Sequence, residues 1–277
     1  MIKITIITVV YNCVDTFEQT VSSVAEQSYP NIEYIVVDGG STDGTLDVIK
    51  KYDNVITKWV SEPDDGIYDA MRKGVSMASG DYVQIIGADD CLCDKDVIAK
   101  VVENIDDETD VLSCCEYIVD GDRKLQRIYS NKHARNKENY IGGMIPHGGI
   151  FARLDLLKKY PFDKSYKIAA DYKFFLECYH DENVNFKFID MPVVFFEIHG
   201  TTGQNPEVCA HENKRIYEEL GLYYNDNNQL SASREWVKKI LKKLGLFQYV
   251  KQFLDKNVLW KPHKCNNRIC RWCNRNI

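Results

Sequence analysis

The sequence runs to 277 residues, 44% hydrophobic and 27% charged, with a formal net charge of −6. That balance suits a soluble globular protein of one large domain, or of a domain with an appendage, and the chain has no apolar run long enough to span a membrane. The charge is unevenly placed. From Ser231 onward twelve Lys and Arg face only Glu235 and Asp255, so a tail of +10 follows a body of −16.

The opening "MIKITIITVVYN" carries one lysine, has threonines inside its apolar run and lacks a small-residue cleavage site. It reads as a first buried strand and not as a signal peptide. With no export signal, the expected location is a reducing cytoplasm, and the ten cysteines read as small core or loop residues, not as a disulfide framework. "VDTFEQTVSSVAEQS" spaces Phe17, Val21 and Val24 as one helical face, and Tyr29-Pro30 stops it. "IEYIVVDGG" is a second strand, "STDGTLDVIKKY" a capped helix, "ITKWVSEPDDG" a short strand and turn, and "IYDAMRKGVSMA" a helix. "DYVQIIGADD" returns to strand.

Alternation of this kind predicts an α/β fold with a mostly parallel central sheet flanked by helices. Such sheets bind ligands at the carboxyl ends of their strands. Tyr11-Asn12, Asp38-Gly39-Gly40 and Asp89-Asp90 all close strands, so they are expected to meet at one edge. After Asp94 the pattern changes. "DVLSCCEYIVDGDRKLQRIYS" reads as two strands about an Asp-Gly turn, "AADYKFFLECYHD" as a helix, and "FKFIDMPVVFFEIHG" as strand. From about residue 206 the chain reads as helical and separate from the sheet.

Several of these positions carry chemistry. Two adjacent carboxylates ending a buried strand, Asp89 and Asp90, suit a hard divalent cation whose remaining ligands are phosphate oxygens. Spacing alone leaves open a solvated loop that caps the next helix. In "VVDGGSTDGT" the glycines permit close approach of a ligand and the N–H groups after them suit an anion. It lacks the GxGxxG spacing of a dinucleotide fingerprint, and an ordinary strand–helix turn is the other reading. "GGMIPHGG" is a glycine-rich loop with one histidine, His147, which could contact an acceptor or a phosphate or simply be bonded within its loop. Asp120-Gly121-Asp122 is first of all a hairpin turn. Asp171 opens a helix, where it serves either as a positioned base or as an acid favoured by the helix dipole.

Taken together, "TVVYN", "EYIVVDGGSTDGT", "SEPDDGIYDAMRKG", "ASGDYVQIIGADD" and "AADYKFFLEC", in this order, resemble the inverting glycosyltransferase family 2 with its GT-A fold, and in particular bacterial members that build capsule, O-antigen or exopolysaccharide. The resemblance spans about residues 1–205. It implies a catalytic domain over 1–205, with a nucleotide-sugar half at 1–94 and an acceptor half at 95–205, followed by a helical, basic extension at 206–277. It implies Mn²⁺ or Mg²⁺ at Asp89 and Asp90, with Asp90 the direct ligand, and a further metal or diphosphate contact at His199. Thr8, Val10, Tyr11, Asp38 and Gly39 would line the nucleotide pocket, with Tyr11 against the base. Lys73 would face the nucleotide or its phosphates, and Asp89 and His147 would also contact the donor. Asp171 would be the general base. The implied partners are a nucleoside-diphosphate sugar, UDP-sugar favoured, and a glycan or lipid-linked saccharide. Three positions depart from the family pattern. Gly39 stands where many relatives have a second Asp that reads the uracil edge, Gly87 where a longer acidic motif begins, and Ala170 where an acid often precedes the catalytic Asp.

In the tail, "REWVKKILKKLGLFQYVKQFL" sets Trp236, Val237, Ile240, Leu241 and Leu244 on one helical side and lysines largely on the other. An anionic membrane surface contacted through 234–275 is one reading and a helix docked on the body the other. His263, Cys265, Cys270 and Cys273 have an irregular, incomplete zinc spacing. Two rival functions remain at this stage. A nucleotidyltransferase would need a glycine-rich basic loop that "TVVYNCVDTF" lacks. A non-catalytic sugar- or RNA-binding module would, for RNA, need aromatic–basic motifs that are absent, so no nucleic acid partner is expected.

Overall fold

The computed structural model describes residues 1–121, 124–140, 142–198, 205–222, 240–243, 245–246, 248–250, 260–263, 270 and 272. The elements, in chain order, are β1 (Ile4–Val10), α1 (Val14–Ala25), β2 (Ile32–Asp38), α2 (Thr45–Lys51), β3 (Lys58–Ser61), α3 (Ile67–Met77), β4 (Tyr82–Gly87), β5 (Cys91–Leu92), α4 (Val97–Glu103), β6 (Val111–Asp120), β7 (Leu125–Tyr129), β8 (Ile150–Arg153), α5 (Leu154–Lys159), α6 (Ala170–His180), β9 (Phe186–Glu197), α7 (Pro206–Glu219) and β10 (Lys261–Pro262).

The sheet order is β10-β7-β6-β8-β4-β1-β2-β3, with β9 paired to β5 and β6. The β4-β1-β2-β3 half is parallel. The other half is mixed, with β8 antiparallel to β4 and β6, and β9 parallel to β6. Strand residues alternate between two cores, as a period of two requires. Ile4, Ile6, Val10, Tyr34, Val36, Tyr82 and Ile86 pack with α1, α2 and α4. Ile7, Val9, Ile35, Val37, Val83 and Ile85 pack with α3, α5, α6 and α7. Helices on both faces explain why these strands read as continuous apolar runs.

The described tail residues depart from the expectation of a part separate from the sheet. Ile216 and Tyr217 of α7 belong to the same core as α3 and α6. Lys261 and Pro262 pair antiparallel with β7. Trp272 and Cys270 are buried against Phe195, Val119 and Cys91, and Trp272 Nε1 donates to Glu197 Oε2 at 2.6 Å. Aromatic burial thus outweighs the solubility of the surrounding lysines and draws this part of the tail onto the sheet edge. His263 Nε2 lies 3.3 Å from Cys270 Sγ; Cys265 and Cys273 lie outside the described residues.

At the end of the sheet remote from the strand carboxyl termini, Glu33 gathers four segments. Its carboxylate, 2% exposed, accepts from Thr5 Oγ1 (2.7 Å), Lys58 Nζ (2.9 Å), and Ser79 N and Oγ (both 2.8 Å). Burial alone would raise its pKa, but Lys58 and the hydroxyl and N–H donors outweigh burial and hold it at about 2. A folded pKa below the unfolded value adds stability above the ordinary carboxylate range, and that stability is lost as pH falls. Glu33→Gln is therefore expected to lower unfolding stability near neutrality by about 1–3 kcal/mol. In urea titrations across a pH series, the gap from wild type should shrink as pH falls from 4.5 to about 2. A gap that is constant with pH would contradict this account.

Candidate active site

The parallel register sets Val10 beside Asp38 and Val9 beside Gly87. The loops after β1, β2 and β4 therefore leave the sheet at one edge, where they border a cleft of about 620 Å³. Val10, Tyr11, Asn12, Cys13, Asp15, Thr16, Asp43, Asp64, Gly66, Ile67, Ala70, Gly87 and Asp89 are among its lining. Tyr11 stands at its wall, 62% exposed, an aromatic face open to a planar ligand.

Hydrogen bonds knit the first two loops together. Asn12 N donates to Ser41 Oγ (2.8 Å), Thr42 N to Asn12 Oδ1 (2.9 Å), Cys13 N to Thr45 Oγ1 (3.1 Å) and Val14 N to Asp43 Oδ2 (2.9 Å). Asn12 adopts the left-handed backbone (φ 49°) in doing so. The Asp43 carboxyl is held below the usual range by the Thr45 hydroxyl and the Val14 N–H.

Asp38 does not line the cleft. It is fully buried, and its carboxylate accepts from Gly40 N (3.1 Å), Ser41 N (3.0 Å), Ser61 Oγ (2.6 Å) and the Ser41 hydroxyl. The N–H groups of this turn are thus consumed by Asp38 and Asn12, which corrects the reading of the turn as an anion cradle. Thr8 is also fully buried, its hydroxyl bonded to Tyr34 Oη at 3.1 Å. Lys73 does not face the cleft either. Its ammonium pairs with Glu62 (2.9 Å) and Asp69 (3.3 Å) and donates to Pro63 O (3.1 Å), which braces the loop that carries Asp64.

Gly39 is explained by that loop. A Cβ at residue 39 would lie 2.6 Å from Asp64 Oδ2 and 3.3 Å from Tyr11 Cδ2. Asp64 thus occupies the space beside Gly39, with its other oxygen accepting from Gly66 N at 2.9 Å. Sequence reasoning passed over Asp64. The signal was the glycine itself, which stands where a side chain is usual.

The acidic pair converges. A Cβ on Gly87 would meet Asp89 Oδ1 at 2.8 Å and Asp90 Oδ2 at 3.1 Å, so both carboxylates border one point at the end of β4. Asp90 is 3% exposed and Asp90 Oδ2 also accepts from Gly87 N at 2.9 Å; Asp89 lines the cleft. Two converging hard oxygens fit a divalent cation whose coordination is completed by phosphate oxygens and water. His199 lies outside the described residues.

Asp171 and His147, far apart in sequence, border one small apolar cavity of about 30 Å³ with Met71, Val83, Phe162 and Phe174. Asp171 Oδ1 accepts from Tyr68 Oη at 2.9 Å. Burial, reinforced by the Asp171 carboxylate, drives the Tyr68 phenol far above its ordinary pKa, so it remains a donor. His147 Nε2 is buried with no hydrogen-bond partner among the described residues. Behind it sits Glu116, whose carboxyl is raised by burial and opposed by the nearby His147. Glu116 Oε1 accepts from Gly149 N at 3.1 Å and Gln84 Nε2 donates to Gly148 O at 2.6 Å, which fixes the loop. One helix walls both sites. Ile67 and Ala70 of α3 line the cleft, while Met71 lines the Asp171 cavity and Tyr68 bonds Asp171.

The site therefore joins a parallel-edge cleft bordered by a pair of carboxylates to a third carboxylate, Asp171, across a shared helix. The model of the family described as Glycosyl transferase family 2 matches residues 5–161, more than half of the chain. The chain belongs to that family and is a glycosyltransferase. It is similar to the uncharacterized glycosyltransferase Rv1514c of Mycobacterium tuberculosis (strain ATCC 25618 / H37Rv), 32% identical over 179 residues that cover 63% of this chain and 68% of the relative. Its fold is similar to S. aureus TarS 1-349 in complex with UDP-GlcNAc, with TM-score 0.64 and 20% identity over 99% of this chain and 79% of that one. The chain spans 39% of the longer TarS chain. It is also similar to the mannosyltransferase PcManGT from Pyrobaculum calidifontis in complex with GDP-Man and Mn²⁺, with TM-score 0.61 and 20% identity over 79% and 64% of the two chains. The architecture is therefore the GT-A fold.

The crowding at Gly39 makes a direct prediction. Gly39→Ala forces Asp64 and Tyr11 apart, at an overpacking cost of about 1–3 kcal/mol of unfolding stability. Urea titration measures this, and an unchanged midpoint would show that Asp64 and Tyr11 yield to the added methyl without cost.

Proposed function

We propose that the protein transfers a sugar, with inversion, from a UDP-sugar to a hydroxyl of a glycan or lipid-linked saccharide in the building of a cell-surface polysaccharide. The observation that carries this reading is the placement of the Asp89–Asp90 pair and Asp171 on either side of α3. A donor whose base lies against Tyr11 and whose diphosphate reaches the end of β4 brings its anomeric carbon toward the Asp171 side. There the Asp171 carboxylate takes the proton from the acceptor hydroxyl as that oxygen attacks the anomeric carbon. The bond from carbon to phosphate oxygen breaks with its electrons on the departing nucleoside diphosphate. Attack opposite the leaving group, with no covalent enzyme intermediate, inverts the anomeric centre. Tyr68 keeps the Asp171 carboxylate aimed, and the apolar walls from Met71, Phe162 and Phe174 exclude competing water. Mn²⁺ or Mg²⁺ held by Asp89 and Asp90 would supply charge neutralisation for the leaving diphosphate.

Two substitutions test the assignment. Asp171→Asn retains shape but removes the proton acceptor, so turnover should fall by roughly 10²–10⁴-fold with UDP affinity unchanged. Loss of UDP affinity in step with rate would remove Asp171 from the role of base. Asp90→Ala should abolish turnover, as EDTA should in the wild type, with the circular-dichroism spectrum intact. Full turnover in excess EDTA would refute metal dependence. Anomeric analysis of the product by NMR tests inversion.

We further propose that the basic tail holds the enzyme at an anionic membrane surface. No helix among the described residues is long and apolar enough to cross a membrane. The attachment we propose is peripheral and electrostatic, with each engaged Lys or Arg contributing about 1 kcal/mol. Truncation would also remove the Trp260–Trp272 contacts with the sheet, so charge reversal is the cleaner test. Lys238, Lys239, Lys242 and Lys243 changed together to Glu should abolish co-sedimentation with phosphatidylserine vesicles at low salt and leave turnover of a soluble acceptor intact. Equal sedimentation of both proteins would reject attachment through this segment.

A further inference from the structure

Helix α6, which carries Asp171 in its first turn, begins without a cap of its own. Its N-cap residue is Ala169, which has no side-chain acceptor. The N–H groups just ahead of the helix are instead taken by one carboxylate from α7. Glu212 Oε1 accepts from Lys167 N at 2.7 Å, and Glu212 Oε2 accepts from Ile168 N at 2.9 Å and Ala169 N at 3.0 Å. Glu212 is 7% exposed. A buried carboxylate is costly unless its oxygens are satisfied, and three charge-assisted bonds to backbone meet that need.

A second contact from α7 reaches the other side of Asp171. Tyr217 Oη lies 2.9 Å from Tyr172 Oη, and Tyr172 Oη accepts from Gly143 N at 3.0 Å. Gly143 belongs to the loop that leads to His147. One helix therefore clamps the backbone before Asp171, the side chain after it, and the loop that closes its cavity. This helix lies beyond the family match at 5–161.

We infer that Glu212 is a positioning residue for the transfer reaction, which sets the aim of Asp171 by fixing, from α7, the backbone of 167–169 that leads into α6. The inference rests on the reading of Asp171 as the base. Glu212 has no route to the donor cleft, which is built on the ends of β1, β2 and β4, so its loss should act on turnover and not on nucleotide binding. A Gln at this position keeps the size but sets an amide NH₂ against the backbone donors. A displacement of the base on the scale of an ångström costs up to about 10²-fold in rate.

The test uses the full chain and its E212Q, Y217F and D171N variants. UDP affinity is measured by titration with Mn²⁺, and turnover as UDP release from whichever of UDP-glucose, UDP-galactose and UDP-N-acetylglucosamine the wild type consumes. Hydrogen exchange reports the amides of 167–169. Expected for E212Q are faster exchange at those amides, turnover down about 10- to 100-fold, and a UDP dissociation constant within about twofold of wild type. Y217F, which keeps the ring, should fold as wild type and show a smaller fall of the same kind, so the inference stays testable if E212Q folds poorly. Wild-type turnover in both variants, with D171N inactive, overturns the positioning role and leaves Asp171 as base. Parallel loss of turnover and UDP binding also overturns it, since that marks general loss of structure. An active D171N removes the base assignment and the positioning role with it.

Discussion

The parallel hydrogen-bond ladder joining β1 to β2 and β4 is the constraint on which the rest depends. A parallel ladder makes neighbouring strands run out at the same edge, and the observed register sets Val10 beside Asp38 and Val9 beside Gly87. Three loops distant in sequence are thereby forced into contact. A slip of one residue would turn every side chain of a strand from one core to the other, so the two apolar cores enforce the register. The geometry of the cleft is in this sense a consequence of packing behind it.

Within that frame three buried carboxylates are structural. Asp38 is spent on holding the turn after β2, Glu33 on the far end of the sheet and Glu212 on the backbone that leads into α6. Each is satisfied by backbone N–H groups, hydroxyls or lysine, the condition under which a carboxylate tolerates burial. The carboxylates left facing the cleft are Asp15, Asp43, Asp64 and Asp89. Their shared sign gives the cleft an acidic lining, which favours cations over free anions there.

Helix α3 lies between the two cavities. Ile67 and Ala70 line the cleft while Met71 lines the Asp171 cavity and Tyr68 bonds Asp171, so a small shift of α3 moves both walls together. Tyr68 ties it to α6 by a hydrogen bond to Asp171 at 2.9 Å, and α7 ties α6 in turn to the Gly143 loop through Tyr172. The cleft and the Asp171 cavity are thus linked through packed helices and not through the sheet alone.

Much of this was legible in the sequence. Short, β-branched apolar runs such as Ile4–Val10 read as buried strands, and alternation with amphipathic helices points to a parallel sheet. The strand-end clusters at Tyr11, Asp38 and Asp89 follow from that topology, as does their meeting at one edge. What the sequence could not decide was which polar groups remain open at the edge. Asp38 and Asp89 both follow a buried strand, yet Asp38 is consumed by Gly40, Ser41 and Ser61 while Asp89 lines the cleft. Lys73 sits in a family-like motif, but its partners Glu62 and Asp69 claim its charge. The place of Asp64 beside Gly39, the pairing of Asp171 with Tyr68 and the bonding of the 167–169 amides by Glu212 join segments remote from one another along the chain. Local pattern specifies a residue's own element and face. Which distant donor satisfies it is decided only when the helices pack, because hydrogen bonding depends on distances that periodicity does not contain.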